Sequence, residues 1–313
     1  MLNKPLLLRL HRWVALTFGL PLLAVIATGL ILSVEPMVAQ GAVRPGSITA
    51  EALLGLLQRH DPQGAARALF VRPLERTVTL RGGSVGSIDI DLATGEPAIR
   101  GGTTLSEVFG AARGIHERLI FDAGWLVTAS TVAMLVLTSL GILMGWPRLR
   151  NSLAGWHKGL GWLLLPLVVL SPLTGLMLAL GITFAPNPTL PPAPPLPLLD
   201  AVRVLGADHD LSGLSWIRPL GRTLAARILE DGEMRTYAIT RAGAVPSARN
   251  WPRLIHEGTW GGIVLSLLNL ATAAALLGLL VTGLWIWARR KLRSTSRPGR
   301  QSREPQGALA RRP

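Results

Sequence analysis

The sequence predicts an integral membrane protein: a four-helix transmembrane bundle from a tandem duplication, carrying two small α+β modules outside the membrane on one side. Three observations predict it. Four long apolar stretches lack any charged residue, the excess positive charge sits in the short segments between and beyond them, and motifs recur at a fixed spacing.

Composition narrows the class first. The 313 residues include 49% hydrophobic and only 16% charged side chains, against about 25% charged in an ordinary soluble domain. The mean hydropathy is +0.39, which excludes a disordered chain. Cysteine is absent, and with it go disulfides, iron–sulfur clusters, covalently attached c-type haem, thiolate zinc sites and thiol redox chemistry. Redox work would have to rest on His, carboxylates or a non-covalent cofactor.

The four stretches run from Trp13 to Val34, Ala123 to Trp146, Gly159 to Ile182 and Gly261 to Trp287, each near or above the roughly 20 residues a bilayer crossing needs. The first exceeds the ~7–15 apolar residues of a signal-peptide core and reads as an uncleaved anchor. The implied organisation is a cytoplasmic N-terminus and first span at 1–34, a first external module at 35–115 and a second span at 116–147. A short cytoplasmic loop at 148–158 leads to a third span at 159–182. A proline-rich linker and second module at 183–255, a fourth span at 256–288 and a basic disordered tail at 289–313 complete it.

The formal charge of +14 comes with a pI near 11.7, a balance that in a soluble chain would suggest nucleic acid. Its location removes that reading. The N-terminus, the 148–158 loop and the tail hold 15 Lys/Arg against the single acid Glu304, while the two long loops hold 17 of each sign. By the positive-inside rule the basic segments are cytoplasmic, with membrane lipid and no nucleic acid as the partner they imply. For a bacterial chain this places both termini inside the inner membrane and both long loops in the periplasm. Of the ten tryptophans, Trp13, Trp125, Trp146, Trp156, Trp260, Trp285 and Trp287 cluster at span ends, as an interfacial belt does.

The repeat is read directly from the motifs. Leu10-His11-Arg12 with Thr28-Gly29-Leu30 matches Trp156-His157-Lys158 with Thr174-Gly175-Leu176, 146 residues on. Arg72-Pro73-Leu74 and Arg218-Pro219-Leu220 keep the same offset, and Ile115-His116-Glu117 matches Ile255-His256-Glu257 at 140. The halves are thus parallel repeats about an axis along the membrane normal. In the first module Thr77 to Leu80 and Ser87 to Leu92 alternate, followed by the turn 93–97. In the second, Thr223 to Leu229 and Met234 to Thr240 flank the Asp231-Gly232 turn. Seven prolines between 186 and 197 predict an extended spacer.

Four of the six histidines occupy equivalent places: His11 and His157 at the inner ends of spans, His116 and His256 at the outer ends. Bundling would put one pair near each membrane face. One such histidine alone is an interfacial hydrogen-bonding residue. Four at duplicated positions suit metal ligation, since neutral imidazoles can fill both axial positions of a b-type haem. Small residues, among them Gly19, Ala24, Ala27, Gly29, Gly141, Gly159, Gly161, Gly175 and Gly283, would make room for a flat macrocycle or simply pack helices closely. Arg113 and Arg253 precede their histidines by three residues, so each shares the His face of a helix and could meet a propionate; Arg12 and Lys158 could do so inside. His60 and His209 read as surface residues. Glu117 and Glu257, adjacent to ligand candidates, point elsewhere.

These residues together resemble a known family. The Leu-His-Arg-Trp opening of span one with its Thr-Gly-Leu, the two Ile-His-Glu motifs, Trp-His-Lys, and the turn Asp91-Leu92-Ala93-Thr94-Gly95-Glu96 are similar to those of the PepSY-associated transmembrane family, from Leu8 to Arg290. The second module departs from the turn, reading Ile239-Thr240-Arg241-Ala242-Gly243-Ala244. The resemblance implies PepSY-like periplasmic modules, iron regulation and, in some members, siderophore reduction with two b-type haems. It implies His11, His157, His116 and His256 as the haem-iron ligands.

The leading expectation is therefore a di-haem b electron-transfer protein that reduces a ferric chelate or siderophore in the periplasm. With no dinucleotide fingerprint between strand and helix, the reductant is a quinol or another unidentified electron donor. A haem-free sensor or scaffold, whose modules bind a peptide, protease or transporter, is the alternative. An iron transporter is a third, weakened by the absence of any carboxylate inside a span. No constellation for a hydrolase or kinase is present.

Overall fold

In the computed structural model, the described residues are 3–83, 86–98, 104–148, 150–186, 196–221 and 223–295. The chain enters through α1 (Lys4–Thr17), α2 (Gly19–Leu32) and α3 (Glu35–Ala42), then α4 (Ala50–His60) and strands β1 (Ala68–Arg72), β2 (Thr77–Arg81) and β3 (Ser87–Asp91). It returns through α5 (Thr104–Arg118), α6 (Gly124–Leu143), α7 (Leu153–Leu163) and α8 (Leu165–Ala179). There follow α9 (Leu198–Asp208), β4 (Leu214–Leu220), β5 (Thr223–Glu230), β6 (Glu233–Thr240), β7 (Gly243–Pro246), α10 (Trp251–Glu257) and α11 (Gly262–Thr295).

Among the described residues, three helices are long and apolar enough to cross a membrane: Gly19–Ala42, Gly124–Leu143 and Gly262–Arg293. A fourth crossing arises if α7 and α8, bent by 67° at their junction, form one span. The first and third spans read from the sequence each run through a break instead of a continuous helix. The breaks fall at Phe18 and Leu164, 146 residues apart. Pro21 and Pro166 follow within the next turn. Neither has an N–H to return to the carbonyl four residues back, on Thr17 and Trp162, so the ladder is interrupted there. Apolarity alone does not register this, because proline adds no charge.

Inside the bundle, Leu22 and Ile26 of α2, Val168 of α8, and Leu276 and Leu280 of α11 form the buried cluster. The span-end tryptophans, from Trp146 at 78% exposed to Trp287 at 38%, are all exposed, as a lipid-facing belt requires. The proline run largely, and residues 296–313 of the basic tail, lie outside the described residues.

The two modules expected as separate units join in one seven-stranded antiparallel sheet, ordered β3-β2-β1-β4-β5-β6-β7. The seam is the β1–β4 pair, where Leu69 lies opposite Ile217 and Phe70 opposite Trp216. The β2–β3 and β5–β6 ladders fall where the sequence alternation places them; β1, β4 and β7 are additional. A sheet of three strands has two open edges, and joining edge to edge removes one from each module. α4 and α9 pack side by side on one face, where Leu53, Leu57, Val202 and Leu205 meet Leu69, Leu80, Ile217 and Ile228. Thr49 caps α4 by accepting from the N–H of Ala52.

The sheet is anchored to the bundle through the β5–β6 turn. Asp231 and Gly232 take positive φ, and the N–H of Gly262, at the start of α11, donates to the Gly232 carbonyl at 2.9 Å. A Cβ on Gly232 would stand 2.7 Å from the Gly262 Cα, so the contact requires glycine there. The N–H of Met234 adds a bond to the Thr259 carbonyl at 2.9 Å.

Candidate functional site

The four histidines of the recurring motifs lie on α1, α5, α7 and α10. Each is seated against a different span by the same device. The Nδ1 of His116 contacts the Val25 carbonyl on α2 at 2.9 Å, and that of His256 the Ser171 carbonyl on α8 at 3.1 Å. Val25 and Ser171 are themselves 146 residues apart. At the other end His11 Nδ1 contacts the Leu137 carbonyl on α6 at 3.1 Å, and His157 Nδ1 contacts Thr282 Oγ1 on α11 at 2.9 Å.

A carbonyl oxygen can only accept, so these Nδ1 atoms carry the proton. The Thr282 hydroxyl already donates to the Gly278 carbonyl, so it too accepts from the ring. In the neutral imidazole the other nitrogen, Nε2, is then left with its lone pair, which is the tautomer a metal ligand uses.

The rings are admitted by missing side chains. A Cβ on Gly29 would stand 3.1 Å from His116 Cε1, one on Gly175 2.9 Å from His256 Cε1, and one on Gly283 3.3 Å from His157 Cε1. These glycines, read from the sequence as room for a macrocycle or as close helix packing, seat the imidazoles. Thr28 and Thr174, the residues preceding two of them, place their hydroxyls 3.3 Å from the Nδ1 of His116 and His256.

Two of the histidines, His116 and His256, meet ring to ring. The ring centres of His116 and His256 are 6.0 Å apart, with planes inclined by 39°. A metal between them suits that distance, because at imidazole bond lengths of about 2.0–2.1 Å each ring centre lies roughly 3 Å from the ion. His11 and His157 share the wall of a cavity of ≈ 860 Å³ with Leu22, Ile26, Val168 and Leu276, within the ~300–1,000 Å³ of small-molecule and cofactor sites. Lys4, Arg148, Arg150 and Lys158 stand on its lining, positioned for the carboxylates of a bound group. Lys158 was anticipated; Arg12 is not among the lining residues. The inner pair lines an apolar cavity with cations at its edge, a setting that suits a b-type haem; for the outer pair it is the ring spacing that suits a metal.

The chain belongs to the PepSY-associated TM region family. The family profile matches residues 8–290, all four histidines included. Among curated proteins none matches the chain.

In this PepSY-associated chain the outer pair is ringed by ion pairs. Arg113 is paired with Glu35. Arg253 Nη1 lies 3.0 Å from Glu257 Oε1, and Arg227 Nη2, from β5, lies 2.8 Å from Glu257 Oε2. Burial pushes the Glu257 carboxyl up, but Arg227, then Arg253 and Arg113, more than reverse it and hold it below its ordinary value. Both arginines expected at propionates therefore stand beside the outer pair, each with a carboxylate partner. Glu257 is half-buried among them, and Glu117 is exposed.

Sequence reasoning missed Glu35, Arg227 and the cations Lys4, Arg148 and Arg150. The last three were counted only as topology signals. His60 and His209, expected as surface residues, are half-buried and bonded within the sheet module: His60 Nε2 to the Gly95 carbonyl at 2.8 Å, His209 Nδ1 to Glu230 Oε1 at 2.6 Å. Among the described residues no group of three or more His, Cys, Asp or Glu is placed to hold a metal ion, so histidine pairs are the candidate ligands.

Proposed function

We propose that the protein is a di-haem b electron-transfer protein of the bacterial inner membrane that reduces a ferric complex of siderophore type in the periplasm. The observation that carries this reading is the 6.0 Å spacing of His116 and His256, with Nδ1 of all four histidines engaged and Nε2 left for a metal. Duplication of a two-span unit gives a four-span bundle with one such pair near each end. The positive-inside rule, applied to the basic segments, supports a cytoplasmic cavity end and a periplasmic sheet.

Haem, when bound, supplies a reversible one-electron iron couple whose potential is set by its axial ligands and surroundings. The chain's own residues do the rest. His11 and His157 would hold one group and His116 and His256 the other, with each Nδ1–H bond fixing ring orientation and raising ligand basicity. Leu22, Ile26, Val168 and Leu276 exclude water from the inner site, while Lys4, Arg148, Arg150 and Lys158 balance acidic substituents there. Arg113 and Arg253 would serve the outer site by exchanging their carboxylate partners. A quinol or a separate carrier would supply reductant at the inner end, and the ferric chelate would meet the outer end. Reduction favours iron release, because hard oxygen donors hold ferrous iron less tightly.

The test is the reduced-minus-oxidised visible spectrum of purified protein, with haem counted by pyridine haemochrome. Two haems per chain and reduction of a ferric chelate by dithionite-reduced protein are expected. Protein without a b-type signal overturns the reading.

A further inference from the structure

On the sheet face turned away from α4 and α9, one transverse row runs Asp89, Thr79, Phe70, Trp216, Arg227 and Thr236, each directly opposite the next. The two aromatic residues meet at the β1–β4 seam. They are 146 residues apart, and so are Arg72 and Arg218, and Arg81 and Arg227. A pair of aromatic rings and two pairs of arginines are thus repeated about the line where the modules join.

The guanidinium of Arg81 lies over the Phe70 ring at 5.0 Å, and that of Arg218 over the Trp216 ring at 4.4 Å. Both arginines are exposed, and both rings are half-buried. No carboxylate stands within 4.0 Å of either guanidinium among the described residues. Asp89, the acid on the row, accepts from Thr79 Oγ1 at 2.6 Å. Arg227, next to Trp216, reaches Glu257 at 2.8 Å, one residue from His256. Through Arg227 this face reaches the helix that carries His256, and it sets flat rings beside cations with no acid partner among the described residues.

We infer that this face binds an anionic chelate whose iron is held by aromatic oxygen donors, of tris-catecholate type. The inference rests on the reductase reading for the role of the chelate, and deepens it by naming the substrate class. Planar guanidiniums held over rings leave their outer faces and edge N–H groups for the ligand. Negative oxygens meet Arg81 and Arg218 while catechol rings stack on the aromatic–guanidinium layers. A neutral or cationic chelate gains nothing from the arginines and pays for desolvating them.

The test uses gallium(III) tris-catecholate, which takes the same shape and charge but does not accept an electron. Its binding to full-length protein in nanodiscs of phosphatidylcholine is compared, by calorimetry, with gallium(III) tris-hydroxamate. The wild type is expected to bind the catecholate complex at least tenfold more tightly. The Arg81→Gln/Arg218→Gln variant is expected to lose at least tenfold of that affinity while keeping the wild-type melting temperature and visible spectrum. Phe70→Leu/Trp216→Leu, compared at equal folded fraction, is expected to weaken binding too.

Equal affinity for the two complexes, or unchanged binding by the arginine variant, overturns the inference. So does displacement of the gallium complex by a soluble short-chain phosphatidylglycerol, which would assign the face to lipid headgroups. The two readings fail separately. Protein that binds gallium catecholate but carries no haem loses the reductase reading alone. Haem-loaded protein that reduces ferric chelates but binds gallium catecholate equally well without the arginines loses only this one.

Discussion

His116 and His256, 140 residues apart in sequence, stand with ring centres 6.0 Å apart because each is tied to its own half of the bundle. His116 is bonded to the Val25 carbonyl of α2 and His256 to the Ser171 carbonyl of α8. Neither ring is free to turn without giving up a buried hydrogen bond. Each half contributes one imidazole, so the site exists only when the halves pack together.

Removing one pair should remove one group and spare the other. In the proposed reading His116→Ala/His256→Ala lowers haem from two per chain to one, and His11→Ala/His157→Ala does the same. The two remaining signals differ in potential, since one site lies beside ion pairs and the other in an apolar cavity. Pyridine haemochrome and redox titration of the two double variants check this. A matching loss of both haems in either variant would sink the two-site arrangement.

The glycine seats rank by distance. Gly175→Ala places a methyl group 2.9 Å from a ring held by the Ser171 carbonyl, Gly29→Ala 3.1 Å from His116, and Gly283→Ala 3.3 Å from His157. Overpacking of this kind costs about 1–3 kcal/mol. The melting temperature should fall most for Gly175→Ala and least for Gly283→Ala. A Soret shift should accompany the fall only where the ring is displaced.

Glu233 carries the clearest pH dependence outside the spans. Arg249 binds it with Nε at 2.5 Å and Nη2 at 3.0 Å, and Arg235 stands at 3.5 Å. The Arg249 hydrogen bonds, set against burial, hold the carboxyl below its ordinary value. A depressed folded pKa gives stability that is present above the unfolded value, near 4.3, and is lost as pH falls through the folded value. Arg249→Met should therefore destabilise at pH 7, with the difference from wild type fading as pH falls below about 4. Thermal unfolding at pH 7 and at pH 3.5 checks both halves of this statement. Because Arg249 immediately precedes the Asn250 cap of α10, the variant should also broaden the spectrum of any group on His256.

The proposed orientation is testable with the chain's lack of cysteine. Gln63→Cys, exposed beyond α4, should react with an impermeant maleimide from the periplasmic side. Asn151→Cys, exposed between α6 and α7, should react only in inverted vesicles. The reverse labelling pattern would invert the assignment of reductant and substrate ends.

Much of the architecture is legible in the sequence because it follows from local composition. The spans declare themselves by uncharged length, the β2–β3 and β5–β6 hairpins by alternation and turn residues, and the histidines by repetition. The helix breaks at Phe18 and Leu164 are less visible, since Pro21 and Pro166 are apolar and leave hydropathy unchanged. The rim residues Glu35 and Arg227 are invisible for a different reason. Their partners, Arg113 and Glu257, are 78 and 30 residues away, and no spacing rule connects them. Lys4, Arg148 and Arg150 carry a topology signal that masks their place on the cavity.

By itself the sequence determined that this chain lives in a membrane, which segments are apolar enough to cross it, and which histidines recur; each depends on residue types and their intervals. The tertiary structure alone decided that the modules share one sheet, that glycines seat imidazoles, and that rings from opposite halves come to 6.0 Å. Those are matters of which surfaces meet, and complementary edges and side-chain gaps far apart in the chain fix them only once the halves are packed.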